Sequence, residues 1–70
     1  MKKVHAEVSG SVWEVPVSIG QSVAEGDVLV VVESMKMEIP VEAPAAGTVR
    51  EVLVAKGDTV SDGQWIATLD

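Results

Sequence analysis

A shift of 37 positions lays residues 4–33 on residues 41–70 without a gap, and this repeat constrains the fold more than any other feature of the chain. Ten aligned positions are identical: Val4/Val41, Ala6/Ala43, Gly10/Gly47, Val12/Val49, Glu14/Glu51, Val15/Val52, Val17/Val54, Gly20/Gly57, Val23/Val60 and Gly26/Gly63. Others keep their character, among them Ser11/Thr48, Ser22/Thr59, Glu25/Asp62, Leu29/Ile66 and Glu33/Asp70. Neither copy is large enough to bury an apolar face alone, so the two are expected to pack face to face about a pseudo-twofold axis. Seven residues between the copies, Ser34-Met35-Lys36-Met37-Glu38-Ile39-Pro40, do not repeat. Duplication accounts for folding, and the unduplicated bridge is where function is expected. The link leading back from the second copy to the first is missing, because the chain starts and ends there. Symmetry therefore predicts the bridge at one end of the molecule and both termini at the other.

The repeating unit reads as β throughout. Its apolar residues alternate and are mostly β-branched, with fifteen valines and no Phe or Tyr, which suits a pleated, half-buried surface. Val15, Val17 and Ile19 alternate with Pro16 and Ser18, and Val52 and Val54 alternate with Leu53 and Ala55. Both copies slip phase at one place: Val12 to Val15 and Val49 to Val52 are three apart instead of two, which predicts a bulge or sharp bend. Val12, Val15, Val17, Val49, Val52 and Val54 are expected to form the shared core, except where the bend turns one outward. Glycines punctuate the pattern, and Asp62-Gly63 between Val60 and Trp65 predicts a tight hairpin. Pro16 lacks an amide proton, so its strand is expected at a sheet edge. No segment carries a helical stripe.

Composition removes several classes of function. The chain, residues 1–70, makes one domain. It has no cysteine and a single histidine, His5, so no disulfide or thiolate metal site is possible and no metal site is expected. Five Lys and Arg are scattered through a chain of net charge −6 and pI near 4.5. That balance argues against nucleic acid, which requires clustered cations, and favours basic protein partners. The longest apolar run, Val28–Val32, is far short of a membrane span. Met1-Lys2-Lys3 is followed by His5, Glu7 and Gly10 with no apolar stretch behind it, so a cytoplasmic location is expected.

Around the bridge, Val30–Ser34 and Met37–Val41 read as two strands about Met35-Lys36. Pairing about that dipeptide sets Ser34 opposite Met37, Glu33 opposite Glu38 and Val32 opposite Ile39. Lys36 then projects into solvent from a two-residue turn. Such turns favour Asn-Gly or Asp-Gly, because they require positive φ, and Met-Lys is a poor choice. An exposed lysine in a turn is ordinarily a matter of solvation, and methionines on a strand ordinarily pack inward. Yet a local rule broken without structural gain is a reason to suspect a site. Nucleophilic lysine chemistry needs a desolvated pocket, which a hairpin tip does not provide. Glu33 and Glu38 have no nucleophile or second base nearby to act with.

Glu33-Ser34-Met35-Lys36-Met37-Glu38 resembles the attachment sequence of the biotinyl domain, the biotin carboxyl carrier family, in which the lysine between two methionines is biotinylated. Ala43-Pro44-Ala45-Ala46-Gly47-Thr48-Val49, Gly57-Asp58-Thr59-Val60, Gly63 and Ile66 extend the resemblance over nearly the whole chain. Glu7 and Val8 stand where the second copy has Pro44 and Ala45, and Ser34 stands where the motif often has Ala. Some members insert a thumb loop in the first half, for which the ungapped repeat leaves no room. The resemblance implies an all-β flattened barrel of two four-stranded antiparallel sheets, a barrel-sandwich hybrid. Halves 4–33 and 41–70 would flank an attachment hairpin at 34–40. It implies a carrier and not an enzyme. Biotin would be covalently bound to Lys36, flanked by Met35 and Met37, with biotin protein ligase, biotin carboxylase and carboxyltransferase as partners. A lipoyl carrier is the alternative, although lipoyl domains typically carry Asp-Lys-Ala at this turn. The adaptor domains of membrane-fusion transport proteins insert long helical hairpins there, and this chain has none.

Overall fold

Valine-rich alternation interrupted by glycine turns produces eight strands and no helix in the computed structural model, which describes all of residues 1–70. The strands are β1 (Lys2–His5), β2 (Gly10–Glu14), β3 (Ser22–Val23), β4 (Val28–Ser34), β5 (Met37–Glu42), β6 (Gly47–Val52), β7 (Thr59–Val60) and β8 (Trp65–Leu69). They form two four-stranded antiparallel sheets in the orders β1-β8-β6-β3 and β5-β4-β2-β7. Each copy thus contributes strands to both sheets. The repeat carries β1 onto β5, β2 onto β6, β3 onto β7 and β4 onto β8, and the registers follow it pair by pair. Lys2↔Leu69, Lys3↔Thr68 and Val4↔Ala67 in one sheet match Ile39↔Val32, Pro40↔Val31 and Val41↔Val30 in the other. The two chain ends meet, in the sheet that does not contain the bridge.

The slip in phase is a bulge in both copies. Register shifts between Val12 and Glu14 against β4, and between Val49 and Glu51 against β8. The extra residue lets each strand bend as it crosses the core. Sixteen apolar residues form that core, including Val12, Val17, Val49 and Val54, with Leu29, Val30, Val32 and Ile66 fully enclosed. Val15 and Val52, the residues just past the bulge, are half-buried and pack against it from the side. Thr68 is the one buried polar residue, and its Oγ1 accepts a hydrogen bond from Trp65 Nε1 at 3.1 Å, which meets the usual requirement of a buried hydroxyl.

Three expectations about local structure need correction. Strand β2 ends at Glu14, so Val15–Ile19 is not strand and Pro16 occupies no sheet edge. In the second copy the Leu53 amide donates to the Ile66 carbonyl at 2.8 Å. Pro16 holds the equivalent position and has no proton to give, which explains why β2 stops before β6 does. Ile19 is exposed, at a turn instead of on a strand. Asp62-Gly63 does form a tight turn, but not a hairpin, because β7 pairs with β2 while β8 pairs with β1 and β6.

That turn is one of four of the same construction. The amides of Gln21, Asp27, Asp58 and Gln64 donate to the carbonyls of Ser18, Ala24, Ala55 and Ser61 at 2.9–3.1 Å. Each third residue is a glycine with φ between 85° and 96°, the backbone that a type II turn needs at that place. The side chain of the fourth residue then reaches back. Gln21 Oε1, Asp27 Oδ2, Asp58 Oδ2 and Gln64 Oε1 accept from the amides of Ser18, Ala24, Ala55 and Ser61 at 2.8–3.1 Å. Every turn is closed twice, which pins the short β3 and β7 between them.

Candidate functional site

Strands β4 and β5 pair about Met35-Lys36 in the register that the sequence predicts, with Ser34 opposite Met37, Glu33 opposite Glu38 and Val32 opposite Ile39. Met35 and Lys36 have φ of 53° and 63°, the only non-glycine residues of the chain with positive φ. Both central residues are left-handed, which is the type I′ geometry that matches the twist of a two-residue hairpin. For a side chain with a Cβ, this backbone costs roughly 1–2 kcal/mol per residue. The hairpin carries that strain at its tip because its root is held firmly. Val30 and Val32 of β4 are fully buried and Val41 of β5 is buried. On the far side of β4, Gly10 of β2 lies so close that a Cβ there would collide with the Glu33 carbonyl. Only glycine permits this approach.

At the tip everything is open. Met35 is 92% exposed and Met37 64%, so neither methionine packs under the turn. Lys36 is exposed and takes no part in an ion pair; the molecule's one ion pair joins Arg50 to Asp70 in the other sheet. Glu33 and Glu38 face each other across the strands, both exposed. No three His, Asp or Glu side chains gather into a metal cage. The arrangement is a primary amine on a flexible four-carbon stem, raised by a rigid strand pair, with soft apolar neighbours on either side. It offers an unhindered nitrogen for acylation, and the residues present fit a prosthetic group joined through an amide.

The family model described as biotin-requiring enzyme, the biotin/lipoyl domain, matches residues 3–69. The chain belongs to the biotin/lipoyl attachment family. It is 53% identical over 66 residues to the biotinylated protein TB7.3 homolog of Mycobacterium leprae, covering 94% of this chain and 93% of that one. It is 37% identical over 67 residues to pyruvate carboxylase of Staphylococcus aureus, covering 96% of this chain but 6% of the enzyme. Among solved structures, urea carboxylase of Kluyveromyces lactis superposes with a TM-score of 0.94 at 30% identity, over 99% of this chain and 6% of that one. As a member of this family the chain corresponds to nearly all of a small biotinylated protein and to a small part of large carboxylases.

Within that family fold, the sequence located the hairpin and its lysine but not the doubly closed turns that support it. Their signal was present: glycine is followed by Gln or Asp at Gly20-Gln21, Gly26-Asp27, Gly57-Asp58 and Gly63-Gln64. The meaning of the Gln and Asp emerges only when their side chains are seen to return to the backbone.

Proposed function

We propose that the chain is a biotin carboxyl carrier in which Lys36 Nζ is acylated by biotin protein ligase. The observation that carries this reading is the Met35-Lys36-Met37 tip, strained into a type I′ turn and exposed to solvent. Homology to a biotinylated protein and to carboxylases supports the choice of biotin over lipoate. When attached, biotin supplies a ureido ring able to hold and release a carboxyl group. The residues of the chain do the rest by position. Buried Val30, Val32 and Val41 fix the root of the hairpin, so that the arm swings from a defined point. Tethering keeps the effective concentration of the group high at each partner's active site without tight docking. Met35 and Met37 supply adaptable apolar contact suited to several brief partners. Biotin carboxylase and carboxyltransferase are those partners in this reading, and the chain itself is the non-catalytic member of the set. Its 70 residues act as a single carrier domain, with halves 4–33 and 41–70 supporting the hairpin 34–40. Acylation removes one positive charge, taking the formal net charge from −6 to −7.

Intact mass after coexpression with biotin protein ligase, in the presence of biotin and lipoate, tests the assignment. A gain of one biotinyl group on the native chain and none on Lys36→Arg is expected, since a guanidinium does not form the amide. A biotinyl group retained by Lys36→Arg would place the site elsewhere, and a lipoyl gain would overturn the cofactor.

A further inference from the structure

The molecule has one pocket, of about 530 Å³, and it lies between β1 and β5, the edge strands of the two sheets. That volume falls in the range of small-molecule sites. Half-buried Val8 and Ile39, over the buried Val4 and Val41, provide its apolar lining, and Lys3, His5, Glu7 and Glu42 its polar lining. From this groove we infer a resting site for the arm carried by Lys36, an inference that rests on biotin attachment there.

Three observations select this occupant. The first is continuity: β5 leaves the turn at Met37 and forms one side of the groove from Ile39 onward. At a rise of about 3.4 Å per residue, Ile39 lies about 10 Å from Lys36. A lysine stem joined to a five-carbon acyl chain runs some ten bonds, on the order of 12 Å when extended, so the arm is long enough to bring the ring to the groove. The second is chemical. Branched aliphatic walls suit the acyl chain and the thioether ring. The ureido end brings two N–H donors and one carbonyl acceptor, which resembles a peptide group.

The third is the state of the β5 edge. Ser34 and Met37 close the hairpin as a hydrogen-bonded pair, so Ile39 and Val41 direct their backbone groups to β4. Glu38, Pro40 and Glu42 direct theirs to the open edge. That edge presents the Pro40 carbonyl and the Glu42 amide next to the groove, one acceptor and one donor for a ureido group. It lacks the donor at its centre, because Pro40 has no amide proton, so a complete peptide strand from another chain cannot zip along it. A compact amide-like group meets no such obstacle.

The test compares isotope-labelled full-length chain before and after biotinylation, by intact mass and by NMR. Expected are nuclear Overhauser contacts from the ring and acyl-chain protons to the methyls of Ile39, Val41 or Val8, with amide shift changes at Val4 and Glu42. If the mass shows the biotinyl group but the shifts stop at residues 34–38 and no such contacts exist, the arm is free and the resting site is overturned while attachment stands. If no mass is gained, attachment itself fails and the resting site falls with it.

Discussion

Met35 and Lys36 hold a backbone that neither side chain favours, with φ of 53° and 63°. Asn-Gly meets the same geometry at lower cost, because Gly has no Cβ and the short side chain of Asn tolerates the left-handed region. Replacing Met35-Lys36 by Asn-Gly is therefore expected to stabilise the domain by about 1 kcal/mol in urea denaturation, the relief of left-handed strain offset in part by the greater freedom of glycine in the unfolded chain, while abolishing biotinylation. Equal or lower stability would mean that the tip is not strained. The methionines separate folding from function in another way. With side chains so exposed, Met35→Ala and Met37→Ala should leave the melting temperature nearly unchanged. The same variants should change the rate of ligation or of carboxyl transfer, because they remove the apolar side chains beside the Lys36 nitrogen proposed for acylation. A large fall in melting temperature with normal transfer kinetics would assign the methionines a structural role instead.

Strands and turns divide the stability between them unevenly, and the division tests the assignments. Val49 is enclosed at the centre of β6, whereas Val52 lies half-open past the bulge. Val49→Ala should cost about 1–3 kcal/mol through lost burial and a residual cavity, and Val52→Ala less than about 1 kcal/mol. At the turns, Asp58→Ala removes the carboxylate that accepts from the Ala55 amide and should cost about 1 kcal/mol. These differences also explain what could be read beforehand. The bulge was legible because it shifts apolar residues from one face to the other, and such a shift is visible as a spacing of three. The hairpin was legible because its two strands are neighbours in sequence. The end of β2 was not, because Val15 and Val17 keep alternating, and Val17 keeps packing on the core, after the ladder has stopped. The fate of Asp62-Gly63 was not legible either. A local turn code specifies that the chain reverses but not which sheet the next strand joins.

At the scale of the whole molecule, symmetry of fold coexists with asymmetry of charge. The strands of the hairpin sheet carry Glu14, Glu33, Glu38 and Glu42 and no cation, while those of the other sheet carry Lys2, Lys3 and Arg50 against Glu51 alone. The acylation proposed for Lys36 would remove the one cation of the hairpin and leave that sheet wholly anionic, a field of the kind that favours basic surfaces. The fold beneath this charge is nearly a closed ring. Two full periods of 37 make 74 residues, four more than the chain has, and the missing four are the counterparts of Ser34–Met37. Lys2 already pairs with Leu69 as Ile39 pairs with Val32. Joining Asp70 to Met1 through four residues with Asn-Gly at their centre should therefore complete a second hairpin without disturbing either sheet. New ends placed between Lys56 and Gly57 open one doubly closed turn, whose amide–carbonyl and amide–carboxylate bonds span Ala55 and Asp58. The permuted chain should unfold cooperatively, within about 2 kcal/mol of the native order, since each net hydrogen bond is worth about 1 kcal/mol. It should also accept biotin at the lysine of the original hairpin. Equilibrium denaturation with circular dichroism measures the first outcome and intact mass the second. A chain that no longer unfolds in one transition would show that the terminal junction and the Met35-Lys36 turn are not equivalent points of the fold.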